Sequence, residues 1–513
     1  MRIIATLLTT FLLHSASGQM RLYEILPPVP LDGGFFGLDA APVGDRDADG
    51  VPDFSVSDGG GVHIFSGVDG DFIRTLEAPA DSAGFGGMRN AGLGTPVSLI
   101  ANTNPLIVVG AAFANGIVGR AFAFNAAGAL AFVFDSPLMG LFGFSVVDVG
   151  DPDEDGYNDI AIGARDSTGR VYFVDSFSGT ITDSLSSPSP LDGSNFGLDI
   201  VNLGDINEDG TDDFAVSAPT DLASGLSSAG KVYVFSGATR QFIYALSSPN
   251  AEESGVFGAA ITNVGDVDND GRDDLAVGAY GENAGATNSG RVYVFSGFDG
   301  SPLFDLVSPL AQLDGAFGLV VEGVGDTDGD GLPDIAVGAP LENNTRGRAY
   351  IFGGDESLIA TIEPTEGDSV ILGVDIAGIG DVNDDGRTDV FIGVPQDDIG
   401  AINWAGTAGV WSMPPAVANE LDAELPEAAV VESAYPNPFR GSTTIRYTVS
   451  EATAVRLAVY DALGREVAVL RRGTMPAGQY DQGFDAANLA AGRYVVTLET
   501  NRGRSTLPLT LLE

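Results

Sequence analysis

The strongest constraint on this chain is an acidic nine-residue loop that returns six times. Its first Asp stands at Asp45, Asp151, Asp205, Asp266, Asp326 and Asp381, at intervals of 106, 54, 61, 60 and 55 residues. The long first interval holds two units. The second of these has lost the acidic loop but keeps Phe85-Gly86, Val109-Gly110-Ala111 and the run from Gly119 to Phe124, which brings the total to seven. A representative unit runs from Phe257-Gly258 through an apolar stretch ending Val264-Gly265 to the loop Asp266–Asp274. It continues with Leu275 to Ala279, a polar loop, Gly290 to Gly297, and a last apolar piece, Leu303 to Val307. That is four short strands punctuated by turn residues.

Four-stranded units of this size cannot bury both faces alone. Stacking them radially hides the faces and leaves only short edges, so the expected fold is all-β, a seven-bladed β-propeller. The ring must also close. Arg21 to Pro27 reads as the fourth strand of a unit that has no first three, whereas the seventh unit ends at Gly409 to Met413 without a fourth strand. The N-terminal segment is therefore expected to complete the seventh blade and close the circle.

Oxygen ligands at alternate positions of a tight loop converge on a hard cation, and Gly at the sixth position allows the sharp turn. Positions 1, 3, 5 and 9 are Asp45, Asp47, Asp49, Asp53; Asp151, Asp153, Asp155, Asp159; and Asp205, Asn207, Asp209, Asp213. They continue as Asp266, Asp268, Asp270, Asp274; Asp326, Asp328, Asp330, Asp334; and Asp381, Asn383, Asp385, Asp389. The position-7 carbonyls of Val51, Tyr157, Thr211, Arg272, Leu332 and Arg387 would add a further oxygen. Asp and Gly also make ordinary turns. Turns do not need clustered carboxylates, which at about 4 Å and an effective dielectric near 20 repel by roughly 4 kcal/mol per pair. About six structural Ca²⁺ sites are expected, with Kd on the order of 10⁻⁴ to 10⁻³ M as in extracellular modules. Each loop is followed by a short strand such as Ile335-Ala336-Val337, which favours a hairpin over a helix-flanked calcium loop.

Phe-Gly, the Asp loop, then Gly338-Ala339-Pro340 resembles the FG-GAP repeat of integrin α-subunit propellers, over roughly Met20 to Pro415. Leu372 stands for Phe before Gly373, and Val56-Ser57-Asp58 stands where Gly-Ala-Pro would be. Strand parity puts the acidic 1-2 loops on one face of the ring and the longer 2-3 loops on the other: 220–229, 280–289, 341–346 and 396–408. The resemblance implies ligand binding on that second face, with Asp221, Tyr280, Asn283, Asn343 and Trp404 as candidates. Arg120, Arg170, Lys231, Arg291 and Arg348 would ring the same face, or would simply balance nearby acids there.

Composition narrows the chemistry. A formal charge of −47 argues against nucleic acid or an anionic membrane surface as partner and makes cations the natural counterpart. With no Cys and only His14 and His63, His-rich zinc sites and Cys nucleophiles are excluded, and a Ser-His-Asp arrangement would have to use the strand-borne His63. The expected role is therefore non-enzymatic: a calcium-binding module for adhesion or for a protein or glycan ligand, and monomeric. The alternative is an extracellular hydrolase or lyase using carboxylates on the loop face.

Arg2, the apolar run Ile3 to Leu13 and Ala16-Ser17-Gly18 form a signal peptide over residues 1–18. No later stretch offers the roughly 18 apolar residues of a membrane span. Residues 19–415 form the propeller and 416–431 a Pro- and acid-containing linker. From Val430 onward nine Arg face eight acids, so the charge falls on the preceding part and a boundary lies here. Residues 432–513 alternate strands and Gly turns as a small β-sandwich. Tyr435-Pro436-Asn437-Pro438-Phe439, Leu463-Gly464-Arg465 and Leu489 to Leu498 resemble the C-terminal sorting domain of the bacterial type IX secretion system. That resemblance implies contact with the secretion machinery and passage across an outer membrane, leaving a secreted or cell-surface protein.

Overall fold

The computed structural model describes residues 20–511 apart from 59–60, 78–96, 101–104, 115–117, 139, 166–168, 190–193, 365–370, 416–428, 438, 450–452, 462–465, 487–488, 490–491 and 501–502. The expected signal peptide, Phe85-Gly86 and most of the expected linker lie outside the described residues. Seven four-stranded antiparallel sheets follow one another along the chain, and their first strands touch in cyclic order, the seventh against the first. The chain is an all-β, seven-bladed propeller.

The fifth blade shows why these residues make such a sheet. Its strands are Ile261–Gly265, Asp274–Ala279, Arg291–Phe295 and Pro302–Leu306, paired as a meander with Val277 between Ile261 and Tyr293. Successive side chains of a strand point to opposite faces. Leu275, Val277, Tyr293 and Phe295 accordingly pack with Val232 and Phe257 of the fourth blade's side, while Ala276, Val292 and Val294 pack with Phe317, Ile335 and Val337 of the sixth. The second strand is buried throughout because both its faces are covered. Each such side chain contributes about 1.5–3 kcal/mol, so the blade interfaces hold the ring.

The Gly before the third strand is a contact point between blades at Gly119, Gly169, Gly230, Gly290, Gly347 and Gly406. Gly290 has φ +87° and bridges to Phe317, the FG-motif Phe of the next blade; a Cβ there would lie 1.9 Å from the Phe317 carbonyl oxygen. Only Gly lets the two backbones meet.

Closure occurs as the sequence implied. Met20–Ile25 pairs antiparallel with Thr407–Ser412, setting Glu24 against Gly409 and Ile25 against Ala408. The N-terminal strand is thus the outer strand of a blade otherwise built from the last propeller residues.

Two compact units are present, Met1–Ala416 and Val417–Glu513. The second has a three-stranded sheet of Ala429–Tyr435, Ser442–Val449 and Gly478–Asp485, and a four-stranded sheet ordered Glu466–Met475, Thr453–Asp461, Gly492–Thr500, Gly503–Leu511. Ile445, Tyr447 and Val449 of the first sheet share a core with Leu457, Val459, Val496 and Leu498 of the second. The first strand begins at Ala429, inside the stretch assigned above to the linker. Among the described residues no helix is long and apolar enough to cross a membrane.

Candidate metal centres and the loop face

In all six acidic loops the first carboxylate organises the turn. The Gly at position 6 donates its N–H to the first Asp: Gly50 to Asp45 at 3.0 Å, Gly156 to Asp151 at 2.8 Å and Gly210 to Asp205 at 2.8 Å. Gly271 to Asp266 at 2.9 Å, Gly331 to Asp326 at 3.0 Å and Gly386 to Asp381 at 2.7 Å repeat the bond. The position-7 N–H donates to the position-5 carboxylate in each, for example Leu332 to Asp330 at 2.7 Å. These bonds wrap the loop so that its remaining oxygens point inward.

Position 9 is the buried corner. Asp53, Asp213, Asp274, Asp334 and Asp389 each begin a second strand and are fully buried. Asp274 accepts from Val267 N–H at 2.9 Å and from Gly297 N–H at 3.0 Å, tying the 1-2 loop to the 3-4 turn. Pro152 has no N–H to give at the second position of the third blade's loop. There the converging acids are Asp151, Asp153 and Asp155, with Asp159 outside the trio.

Three further trios bring carboxylate oxygens within 4.8 Å of one another: Asp45, Asp47, Asp53; Asp266, Asp268, Asp274; and Asp326, Asp328, Asp334. The loops of the fourth and seventh blades carry Asn at position 3, and its Nδ2 donates to the position-9 carboxylate, Asn207 to Asp213 at 2.9 Å and Asn383 to Asp389 at 3.1 Å. In the seventh blade Arg387 also clasps Asp385, with Nη2 to Oδ2 at 2.6 Å. The Asp trios have no such internal neutraliser, and Asp334 Oδ1 is buried with no hydrogen-bond partner. Oxygen-only donors in threes, with an orphaned buried carboxylate oxygen, fit a hard cation. Burial and the neighbouring carboxylates push Asp334 and Asp159 up to about 7, and burial above all takes Asp213, Asp274 and Asp389 to about 6.

The opposite face differs from expectation at Asp221. That carboxylate is fully buried, accepting from Tyr233 Oη and from Ser189 Oγ at 3.0 Å, so it braces the loop from inside. The same arrangement recurs: Glu282 accepts from Tyr293 Oη at 2.5 Å, Glu342 from Tyr350 Oη at 2.5 Å, and Asp58 stands 3.2 Å from His63 Nε2. His63 Nδ1 lies 2.9 Å from Thr75 Oγ1, which makes it the first blade's version of a structural pair. The sequence signal for this pairing is an acid three residues after Ala218, Ala279 and Ala339, followed by an aromatic in the next strand.

The basic ring is paired as well. Arg120 meets Asp135 at 2.6 Å, Arg348 meets Glu363 at 2.5 Å and Glu342 at 3.3 Å, and Arg291 meets Asp305. Asn283 is exposed but its amide is engaged by Glu252, and Tyr280 and Asn343 are half-buried. Trp404 is 51% exposed and lies against Phe35, ring centroids 5.9 Å apart.

The FG-GAP repeat family matches residues 196–235, 257–295 and 321–352, the cores of the fourth, fifth and sixth blades. The secretion system C-terminal sorting domain matches residues 433–509, the sandwich. This chain carries FG-GAP repeats and a C-terminal sorting domain. Integrin alpha-5 of Xenopus laevis is 32% identical over 225 residues, covering 41% of this chain and 21% of its own length. Integrin alpha-11 of Homo sapiens is 37% identical over 155 residues, 29% of this chain and 13% of its own. The chain thus spans about a fifth or less of the length of these relatives, and the likeness lies in the FG-GAP region. A crystal structure of BBS1N in complex with ARL6DN, soaked with lead, superposes with a TM-score of 0.46 and 12% identity, covering 78% of this chain and 98% of its own. The sorting domain marks the FG-GAP protein for export by type IX secretion to the cell surface or the extracellular space.

Proposed function

We propose that this protein is a calcium-loaded, non-enzymatic propeller that binds an extracellular protein or glycan through the face bearing its 2-3 and 4-1 loops. Calcium at the acidic 1-2 loops, held by positions 1, 3, 5 and 9 with the position-7 carbonyl, would stiffen the ring from the other side. The observation that carries the reading is the apolar character of the loop face. Val29 is 67% exposed, Leu313 68% and Trp404 51%, and Leu31, Leu310 and Leu341 are also exposed on these loops, in a chain of net charge −47. Large apolar side chains left exposed on the loops of so acidic a chain are what a partner would cover.

The test is binding of the full chain to a glycan and surface-protein array in calcium and in chelator, for the native protein and Trp404→Ala. A ligand bound in calcium and lost in Trp404→Ala at unchanged melting temperature supports the reading. Binding indifferent to both, or turnover of a polysaccharide or ester panel abolished by neutralising one loop-face acid, overturns it.

A further inference from the structure

The axis of the ring holds a second acidic site that belongs to none of the six loops. A cavity of about 550 Å³ is lined by the first strands of six blades, and its polar side chains are Asp39, Ser145, Asp199, Thr262, Glu322 and Asp375; among the described residues no basic side chain lines it. Asp39, Asp199 and Asp375 occupy one repeat position, two residues after the FG-motif Gly, where the third, fifth and sixth blades place Ser145, Ala260 and Val320. Glu322 enters from the sixth blade two residues further on. Glu322, Asp375 and Asp39 therefore stand on three consecutive blades, the sixth, seventh and first.

These acids are not equivalent. Asp199 spends both oxygens on backbone, taking Ile200 N–H and Ile261 N–H at 3.0 Å each, so it is a staple between the fourth and fifth blades. Asp375 takes the Ala40 and Ile376 amides, yet its Oδ2 has no partner. Asp39 Oδ2 has none either, and both orphaned oxygens are buried. Asp39, Glu322 and Asp375 are each partly exposed and line the channel, while the orphaned Oδ2 atoms themselves lie below its surface. Burial raises the affinity of Asp39, Asp375 and Glu322 for a proton, the last two to about 8, and neighbouring carboxylates add to the effect at Asp39 and Glu322.

We infer that Asp39, Glu322 and Asp375 bind a hydrated divalent cation of the magnesium type in the axial channel, bridging the blades at which the ring closes. Among the described residues these carboxylates do not form one of the tight trios seen in the loops. A cation that keeps several waters and uses one or two carboxylates directly suits that wider spacing and the open volume around it. Its place is mechanically apt, because the seventh blade is the composite one that depends on the N-terminal strand.

The probe is Mn²⁺, added to the full chain already saturated with calcium. Paramagnetic titration should report one further Mn²⁺ per chain, and anomalous diffraction from soaked crystals should place a peak between Asp39, Glu322 and Asp375. Glu322→Gln and Asp39→Asn should each weaken that binding at least tenfold while leaving calcium stoichiometry unchanged. Should Asp39→Asn fail to fold, Glu322→Gln carries the test, since Glu322 makes no backbone staple. Manganese appearing only at the acidic loops, or channel binding indifferent to Glu322→Gln, overturns the inference. Because the loop calcium is measured separately, loss of the loop sites and loss of the channel site are read independently.

Discussion

Asp328→Asn should stabilise the protein in chelator and give up about 2.3 kcal/mol of that gain in excess calcium. Asp326, Asp328 and Asp334 hold their oxygens within 4.8 Å, and Asp328 and Asp334 are buried. At that separation each pair of charges repels by roughly 3.5 kcal/mol at an effective dielectric near 20, and by about 1 kcal/mol if water screens it fully. An amide at position 328 removes two such pairs. It can also donate to the orphaned Asp334 Oδ1, as Asn207 and Asn383 do to Asp213 and Asp389, for about 1 kcal/mol more. Asp330 N–H now donates to Asp328 Oδ1 at 3.2 Å, a bond that Asn preserves. In chelator the variant should therefore gain roughly 3–8 kcal/mol, the lower figure holding where water screens the charges fully. With calcium at about 100 times Kd, the native loop gains ~2.7 kcal/mol from binding, and a site weakened a hundredfold keeps only ~0.4. Calorimetry in EDTA and in excess calcium, with calcium stoichiometry by titration, checks this. A shift of the same size in both conditions, or none in either, would refute the argument that a cation offsets the clustered charge.

The calcium-free protein should be more stable near pH 5 than near pH 7.5. Asp159, Asp213, Asp274, Asp334 and Asp389 titrate at about 6 to 7 in the fold and near 4 in the unfolded chain, so the native state holds more protons between those limits. Stability from these groups is full below about pH 4 and is lost as pH rises through 6 to 7. Calcium, by holding the carboxylates ionised, should flatten the profile; melting curves from pH 4 to 8 with and without EDTA read this directly. Gly290→Ala should cost about 3 kcal/mol or more, because its Cβ would meet the Phe317 carbonyl at 1.9 Å on a left-handed backbone, and denaturant unfolding measures it. Deleting 20–25 should leave the Thr407–Ser412 edge unpaired and shift the protein from monomer to self-associated species in light scattering.

The repeat, the blade count and the closing strand were legible because each is written in local pattern. A four-strand unit missing its last strand and a lone strand at the other end of the chain specify one another. The convergence of the loop carboxylates was legible for the same reason, since they lie within nine residues. Asp39, Glu322 and Asp375 were not, because they stand on three different blades, 283 (322 − 39) and 53 (375 − 322) residues apart, at positions where other blades carry residues such as Ser, Ala or Val. Asp221 was read as a ligand-face residue because its loop is polar; the Tyr233 hydroxyl, twelve residues on, draws it inside. The strand beginning at Ala429 was hidden by the acid- and Pro-containing stretch before it.

The central claim is that divalent cations hold the acidic 1-2 loops and, through them, the ring. Differential scanning calorimetry of the full chain in millimolar calcium and in excess EDTA tests it most directly. A melting temperature well below the calcium value in EDTA, restored by adding calcium back, is the predicted result. Identical melting temperatures in the two solutions would contradict it.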